Sequence, residues 1–153
     1  MAVRIQAEAF DPGREMAGFA ATSSDVGGIA SFLGLVRGHH QGTPVLAMTL
    51  EHYPGMTERA LREIEAEARR RWPLDDALII HRYGRMLPGE PIVLVLTASA
   101  HRAAALESCA FLIDWLKTRA PFWKLEETPE GERWVEAQAS DDAAAQKWST
   151  AAG

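Results

Sequence analysis

Residues 114–126 read DWLKTRAPFWKLE, which sets Lys117, Arg119 and Lys124 among Trp115, Pro121, Phe122 and Trp123. A lysine held against apolar surface and beside other cations has its ammonium form destabilised. Its pKa falls toward neutrality, and the amine becomes usable as a nucleophile or as a general acid and base. Two further cationic groups fall where elements should begin or end: Arg37 with His39 and His40, and His101 with Arg102. The latter pair stands at a predicted helix start, where free backbone N–H groups already favour a phosphate or carboxylate. Each group alone also fits an ordinary solvated charge, and Lys117 fits a cation complementing the negative end of its helix.

The chain around these cations has 153 residues, 47% of them apolar, enough for one core and short for two. We read one domain over residues 1–148 and a frayed end over 149–153. A net charge of -5 gives no general attraction for nucleic acid or anionic lipid, so an anionic ligand needs a local cationic cluster. The single cysteine, Cys109, cannot close an internal disulfide, nothing at the N-terminus reads as a signal peptide, and no apolar run approaches the roughly 20 residues that span a bilayer. A cytoplasmic protein is expected. The five histidines show no HxH or HExxH spacing, so neither a metal nor a cofactor is expected, and no GxSxG, P-loop or GxGxxG occurs. Cys109 falls in an apolar helical stripe and reads as core.

Periodicity places the cations on elements. Residues 3–7 suit a first strand and 12–21 a short helix opening after Asp11. In 29–37, Ile29, Ser31, Leu33, Leu35 and Arg37 face one way and Ala30, Phe32, Gly34 and Val36 the other, as in a strand covered on both faces, with Arg37 at its end. GHHQGTP reads as a mobile loop, and 45–53 alternates again, with Leu46, Met48, Leu50 and His52 opposite Ala47, Thr49, Glu51 and Tyr53. From Pro54 a helix carries Leu61, Ile64, Ala68 and Trp72 inward as far as Pro73. Its wet face should pair Glu58 with Arg62, Glu65 with Arg69 and Glu67 with Arg71. His52 and Tyr53 could be catalytic or could fix the start of that helix.

Residues 77–83 and 92–98 read as strands joined by a Pro-Gly turn. Ser99 then suits the N-cap of a helix whose stripe is Leu106, Cys109, Ala110, Ile113 and Leu116, stopped by Pro121. Lys117 extends that stripe to the helix end. Beyond it, an extended 122–127 puts Phe122, Lys124 and Glu126 on one face and Trp123 and Leu125 on the other. A strand over 133–137 could pair with it across TPEGE, and 141–148 reads as a last helix.

FLGLVRGHH, LEHYPGMTERAL, HRYGRMLPGE, SAHRAAALES and DWLKTRAPFWKLE together resemble, in order and over nearly the whole chain, the catalytic large subunit of molybdopterin synthase. HR at a helix start followed by LKTRAPFWK is the specific part. The resemblance implies an α+β fold with a mainly antiparallel sheet of the hammerhead type. It also implies sulfur transfer: two sulfurs pass from the C-terminal thiocarboxylate of a small ubiquitin-like partner to cyclic pyranopterin monophosphate, forming the dithiolene of molybdopterin. The large subunit would form a central homodimer within a heterotetramer.

By motif, Lys117 and Lys124 are the implied catalytic pair, Arg37, His101 and Arg102 the phosphate and pterin contacts, and Leu125 and Glu126 further substrate contacts. Arg119 and His39 are additional candidates. Leu35 and Val36 belong to a binding stretch where relatives can carry Lys at the first position, so contact there falls to the backbone. Lys117 would meet the reacting carbon or the thiocarboxylate, as an amine nucleophile or an electrostatic guide, and Lys124 would exchange a proton with the leaving oxygen. A non-catalytic pterin- or phosphate-binding module is the alternative. A phosphoric ester hydrolase built on His101 and Arg102 lacks the metal or carboxylate pair that such chemistry uses.

Overall fold

Long runs of β-branched and apolar residues belong where both faces of a sheet are covered, and DALIIHR and PIVLVLTAS occupy such a place. In the computed structural model, which describes residues 2–21, 23–135 and 139–149, they form β6 (Asp76–Arg82) and β8 (Pro91–Ser99) at the centre of a four-stranded sheet. The order is β1-β6-β8-β2, with β1 (Ala2–Gln6) parallel to β6 and β2 (Gly28–Leu35) antiparallel to β8. Ile79, Val93 and Val95 face the main core with α2 (Met56–Arg71) and α3 (Arg102–Arg119). Leu78, Ile80, Leu94 and Leu96 face a second cluster closed by Phe10 and by Phe19, which follows α1 (Pro12–Gly18).

The second sheet is antiparallel throughout, in the order β10 (Gly131–Val135), β9 (Phe122–Thr128), β5 (Ala47–His52), β7 (Gly84–Met86). β3 (His39–His40) and β4 (Thr43–Pro44) make a small hairpin, and α4 (Ala139–Gln146) packs on α3. The expected α+β, mainly antiparallel class is the one observed. No helix among the described residues is long and apolar enough to cross a membrane.

Several expectations are corrected. β2 is an edge strand rather than one covered on both faces, and Ile29, Phe32, Leu33 and Leu35 are exposed. The loop after it is ordered as the β3–β4 hairpin. The short strand β7 has no counterpart among the expected elements, because GRM has neither the length nor the alternation of a strand signal. Ser99 ends β8 and donates to the Pro73 carbonyl; His101 is the N-cap, without a side-chain capping bond.

The inward face of α3 is also turned from the expected one. Leu106 is 61% exposed, while Phe111, Leu112 and Trp115 are buried with Cys109 and Leu116. This helix packs against β2 and β8 on one side and against α2 and α4 on another, so its buried surface is too broad for a single stripe to describe. α1 stops at Gly18, three residues short of the expected end. Residues 136–138 and 150–153, which include the expected strand end at 137 and most of the expected frayed end, lie outside the described residues.

On α2, Glu67 pairs with Arg71 as expected, at 2.7 Å, whereas the Glu58 carboxylate accepts from the Gly55 N–H instead of meeting Arg62. Glu65 is not on the wet face: it is 7% exposed, its Oε2 has no hydrogen-bond partner, and burial raises its carboxyl to about 7. The folded chain therefore holds a proton that the unfolded chain releases near 4.5. The associated stability is full below that pH and lost as pH rises through about 7. In urea denaturation at pH 5 and pH 8, wild type should lose about 2 kcal/mol more than Glu65→Gln across the interval. Equal losses in the two proteins would contradict the buried placement.

Candidate active site

The two lysines meet because of a helix stop. α3 closes at Arg119, Ala120 is extended, and Pro121 can supply no N–H to continue the helix. The Phe122 N–H bonds the Ala120 carbonyl at 2.9 Å, and the chain leaves at once as β9. Lys117 thus stands on the last turn of α3 and Lys124 three residues into β9, between Leu50 of β5 and Val135 of β10. Burial is the largest influence on both amines and lowers both from the ordinary lysine value, Lys124 to about 8. The Lys117 side chain keeps solvent contact in the isolated chain, so its shift comes from crowding by protein atoms and not from full enclosure. The positive charge of Lys117 further lowers Lys124, Arg37 lowers both, and Asp141 of α4 opposes the shift at both.

The face of β9 that carries Lys124 also carries Phe122 and Glu126. Phe122 stacks on His81 of β6 with ring centroids 3.9 Å apart, and His52 of β5 lies against Tyr83 at 4.5 Å. Glu126 is buried and engaged: His40 Nδ1 is 2.9 Å from its Oε1, and Arg133 Nε donates to the same oxygen at 3.1 Å. Arg133 Nη2 also donates to the His40 carbonyl at 3.4 Å, so one carboxylate pins the β3–β4 hairpin to β9 and β10. A cluster of this kind attracts anions, offers an amine that is partly neutral near physiological pH, and keeps its nearest β9 carboxylate occupied elsewhere.

The structure therefore brings Arg37, Lys117, Lys124 and Glu126 together. Leu125 lies on the opposite face of β9, paired with Thr49 and Trp134. Val36 is buried, and its N–H and C=O are bound to Glu90 and Gly89. Leu35 and His39 are exposed beside it, and Arg119 stacks on Trp115 with its guanidinium carbon 3.6 Å from the ring centroid. His101 and Arg102 are exposed at the far end of α3, about 24 Å along the axis from Lys117. His52 and Tyr53 secure the start of α2: His52 Nδ1 is 3.1 Å from Thr57 Oγ1, and the Tyr53 carbonyl accepts from the Thr57 N–H and hydroxyl.

Residues 5–119 match the MoaE protein family model. A Pseudomonas aeruginosa protein described as molybdopterin synthase catalytic subunit is 57% identical over 148 residues, 97% of this chain and 99% of its own. The chain belongs to the MoaE family. A solved MoaE protein from Burkholderia ambifaria is similar at a TM-score of 0.82 and 53% identity, covering 97% of this chain and 98% of that one. A Helicobacter pylori chain, solved as a complex of subunits 1 and 2 of molybdopterin-converting factor, shares the fold at a TM-score of 0.74 and 19% identity, over 89% of this chain and 91% of that one.

Three residues of this MoaE chain's candidate site are not legible as such in the sequence. Asp141 sits in a short acidic helix with no motif, and its approach to the lysines depends on how α4 docks. That docking is made by Trp148, which donates to Asp114 at 2.8 Å and packs edge-on against Phe111 and Trp72. His81 and Arg133 are single residues in strands, signalled by nothing in local spacing. The buried Glu126 contact predicts that Glu126→Ala accelerates amide exchange across residues 38–45 about tenfold while β5 stays protected. Hydrogen–deuterium exchange read by mass spectrometry would show it, and unchanged exchange in the hairpin would refute the pinning.

Proposed function

We propose that this MoaE chain transfers two sulfurs from the C-terminal thiocarboxylate of a small ubiquitin-like partner to cyclic pyranopterin monophosphate. The observation that carries this reading is the pair of lysines with lowered pKa set beside Arg37. Both reactants are anions, and an acidic protein needs such a cluster to gather them. Each thiocarboxylate delivers one sulfur: a carbon–sulfur bond replaces a carbon–oxygen bond, the displaced oxygen takes up a proton, and water then cleaves the acyl–sulfur bond to leave the carrier's carboxylate; an amine titrating at about 8 supplies and recovers a proton near neutrality. Lys117, nearer solvent on the helix end, meets the incoming thiocarboxylate or the reacting carbon, as nucleophile or as fixed charge. Family membership supports the substrate and the reaction class, and the naming of relatives as catalytic subunits supports a separate sulfur carrier. The cytoplasm is the corresponding setting.

The length of α3 constrains the assembly. His101 and Arg102 cannot reach a pterin held by Lys117 and Lys124 of their own chain, so as substrate contacts they act from the second copy of a homodimer. The exposed apolar residues of edge strand β2 suit burial in such a dimer.

Incubation with cyclic pyranopterin monophosphate and thiocarboxylated partner, followed by mass analysis, tests the reading. Wild type should yield product with two added sulfurs, and Lys117→Ala and Lys124→Ala should each lower the rate at least 100-fold with the fold intact. Tight pterin binding by wild type without sulfur gain would replace the enzyme with a binding module. Mixing Lys117→Ala chains with Arg102→Ala chains should restore about a quarter of the activity if sites are shared across a dimer. No restoration would confine each site to one chain.

A further inference from the structure

Among the described residues Arg37 is exposed and enters no ion pair, whereas Arg71, Arg82, Arg85 and Arg133 each hold a carboxylate. The backbone on either side of it is nonetheless fixed. β2 ends in a bulge: Gly34 pairs with Val93 and Leu35 with Pro91, so Ile92 is skipped and the ladder bends. A Cβ at Gly34 would lie 2.6 Å from Val93 Cγ1, so glycine is required at that bend. Val36 is then buried, its N–H donating to the Glu90 carbonyl at 3.0 Å and its carbonyl accepting from the Gly89 N–H at 2.8 Å. On the other side the Gly38 carbonyl accepts from the Val45 N–H at 2.9 Å. Arg37 stands between two tethered residues, free in its side chain and fixed in the direction at which it leaves the chain.

The turn that grips Val36 is itself closed twice. Residues 87–90 read LPGE, with proline second and Gly89 third at φ 90°, as a type II turn requires, and the Glu90 N–H bonds the Leu87 carbonyl at 3.1 Å. One oxygen of the Glu90 carboxylate reaches back to accept from the Leu87 N–H, and the other takes Arg82 Nη1 at 3.4 Å. Arg82 is buried and also donates from Nε and Nη2 to the Ala7 carbonyl, which anchors the turn to the chain after β1. The Leu87 bond, with Arg82 behind it, holds the Glu90 carboxyl below its ordinary range. A Pro-Gly turn forms without such a carboxylate, so the extra closure serves what the turn holds.

We propose that Glu90 is a positioning residue of the cationic cluster: by closing the 87–90 turn on Val36 it fixes the backbone from which Arg37 reaches an anionic reactant. An arginine presented in this way loses less freedom on binding than one on a loose segment. The charge of Arg37 is felt at both Lys117 and Lys124, so its placement also sets the field those amines share. The inference rests on the sulfur-transfer reading for the identity of the anion, and not for the contacts.

Two measurements on the full chain separate these. In Glu90→Ala, hydrogen exchange read by NMR without reactant should quicken about tenfold or more at the amides of Val36, Leu87 and Gly89 and leave Val93 and Val95 protected. In Glu90→Gln, whose side-chain carbonyl still accepts from Leu87, the change should stay below about threefold. In calorimetric binding of cyclic pyranopterin monophosphate without the carrier, Arg37→Ala should weaken affinity about 10-fold, Glu90→Ala about 5-fold and Glu90→Gln less than about twofold. The double variant Arg37→Ala/Glu90→Ala should bind within about twofold of Arg37→Ala, because Glu90 acts through that side chain. Losses that multiply in the double variant, wild-type affinity in Glu90→Ala, or unchanged exchange at Val36 would each overturn the proposal. Should Glu90→Ala not fold, Gly89→Ala, strained at its positive φ with open space around the added Cβ, loosens the same turn and is judged by the same criteria. If Arg37→Ala binds the pterin as wild type does, the assigned reactant is wrong and exchange alone decides whether Glu90 holds Val36. If the binding cycle holds while wild type makes no sulfurated product, the positioning stands and the sulfur-transfer reading falls.

Discussion

Two ammonium groups set close together and crowded by protein atoms repel each other and lose part of their hydration, and the rest of this site answers that cost. A carboxylate bonded to either lysine would relieve it, but would also fix the amines in their charged form and neutralise the cluster. The fold does otherwise. Glu126, which shares a strand face with Lys124, is tied up by His40 and Arg133, and the compensating negative charge comes from Asp141 on a helix docked through Trp148. The outcome is a cationic cluster whose Lys124 amine is poised at about 8 rather than at its ordinary value.

That arrangement depends on elements far apart in sequence. α3 and β9 bring the lysines together through a single break at Pro121, the β6 strand supplies the imidazole that stacks on Phe122, and the β3–β4 hairpin supplies the group that occupies Glu126. The same break sets the lysines between a helix end and a sheet, so the two amines approach from different elements.

What could be read from residues alone was the part governed by local chemistry. Pro121 stops any helix, alternation along FWKLE puts Lys124 and Glu126 on one face, and the turn within TPEGE returns the chain as a hairpin; all three hold in the structure. Where burial is decided by packing of distant elements, local pattern misleads. Glu65 reads as a wet-face partner for Arg69 and is buried, Leu106 reads as core and is exposed, and β2 reads as covered on both faces yet lies at an edge. Asp141 and His81 are marked by no local spacing, because their place beside the lysines and Phe122 comes only from tertiary packing.

The direct test of the central claim is the titration of the Lys124 amine in the wild-type chain, followed by lysine side-chain NMR with assignment by the Lys124→Arg variant. A transition near 8 is predicted, well below the ordinary value of 10.5. A transition at the ordinary value would mean that the amine is solvated and free of its neighbours, and the account of a crowded lysine pair with lowered pKa values would be wrong.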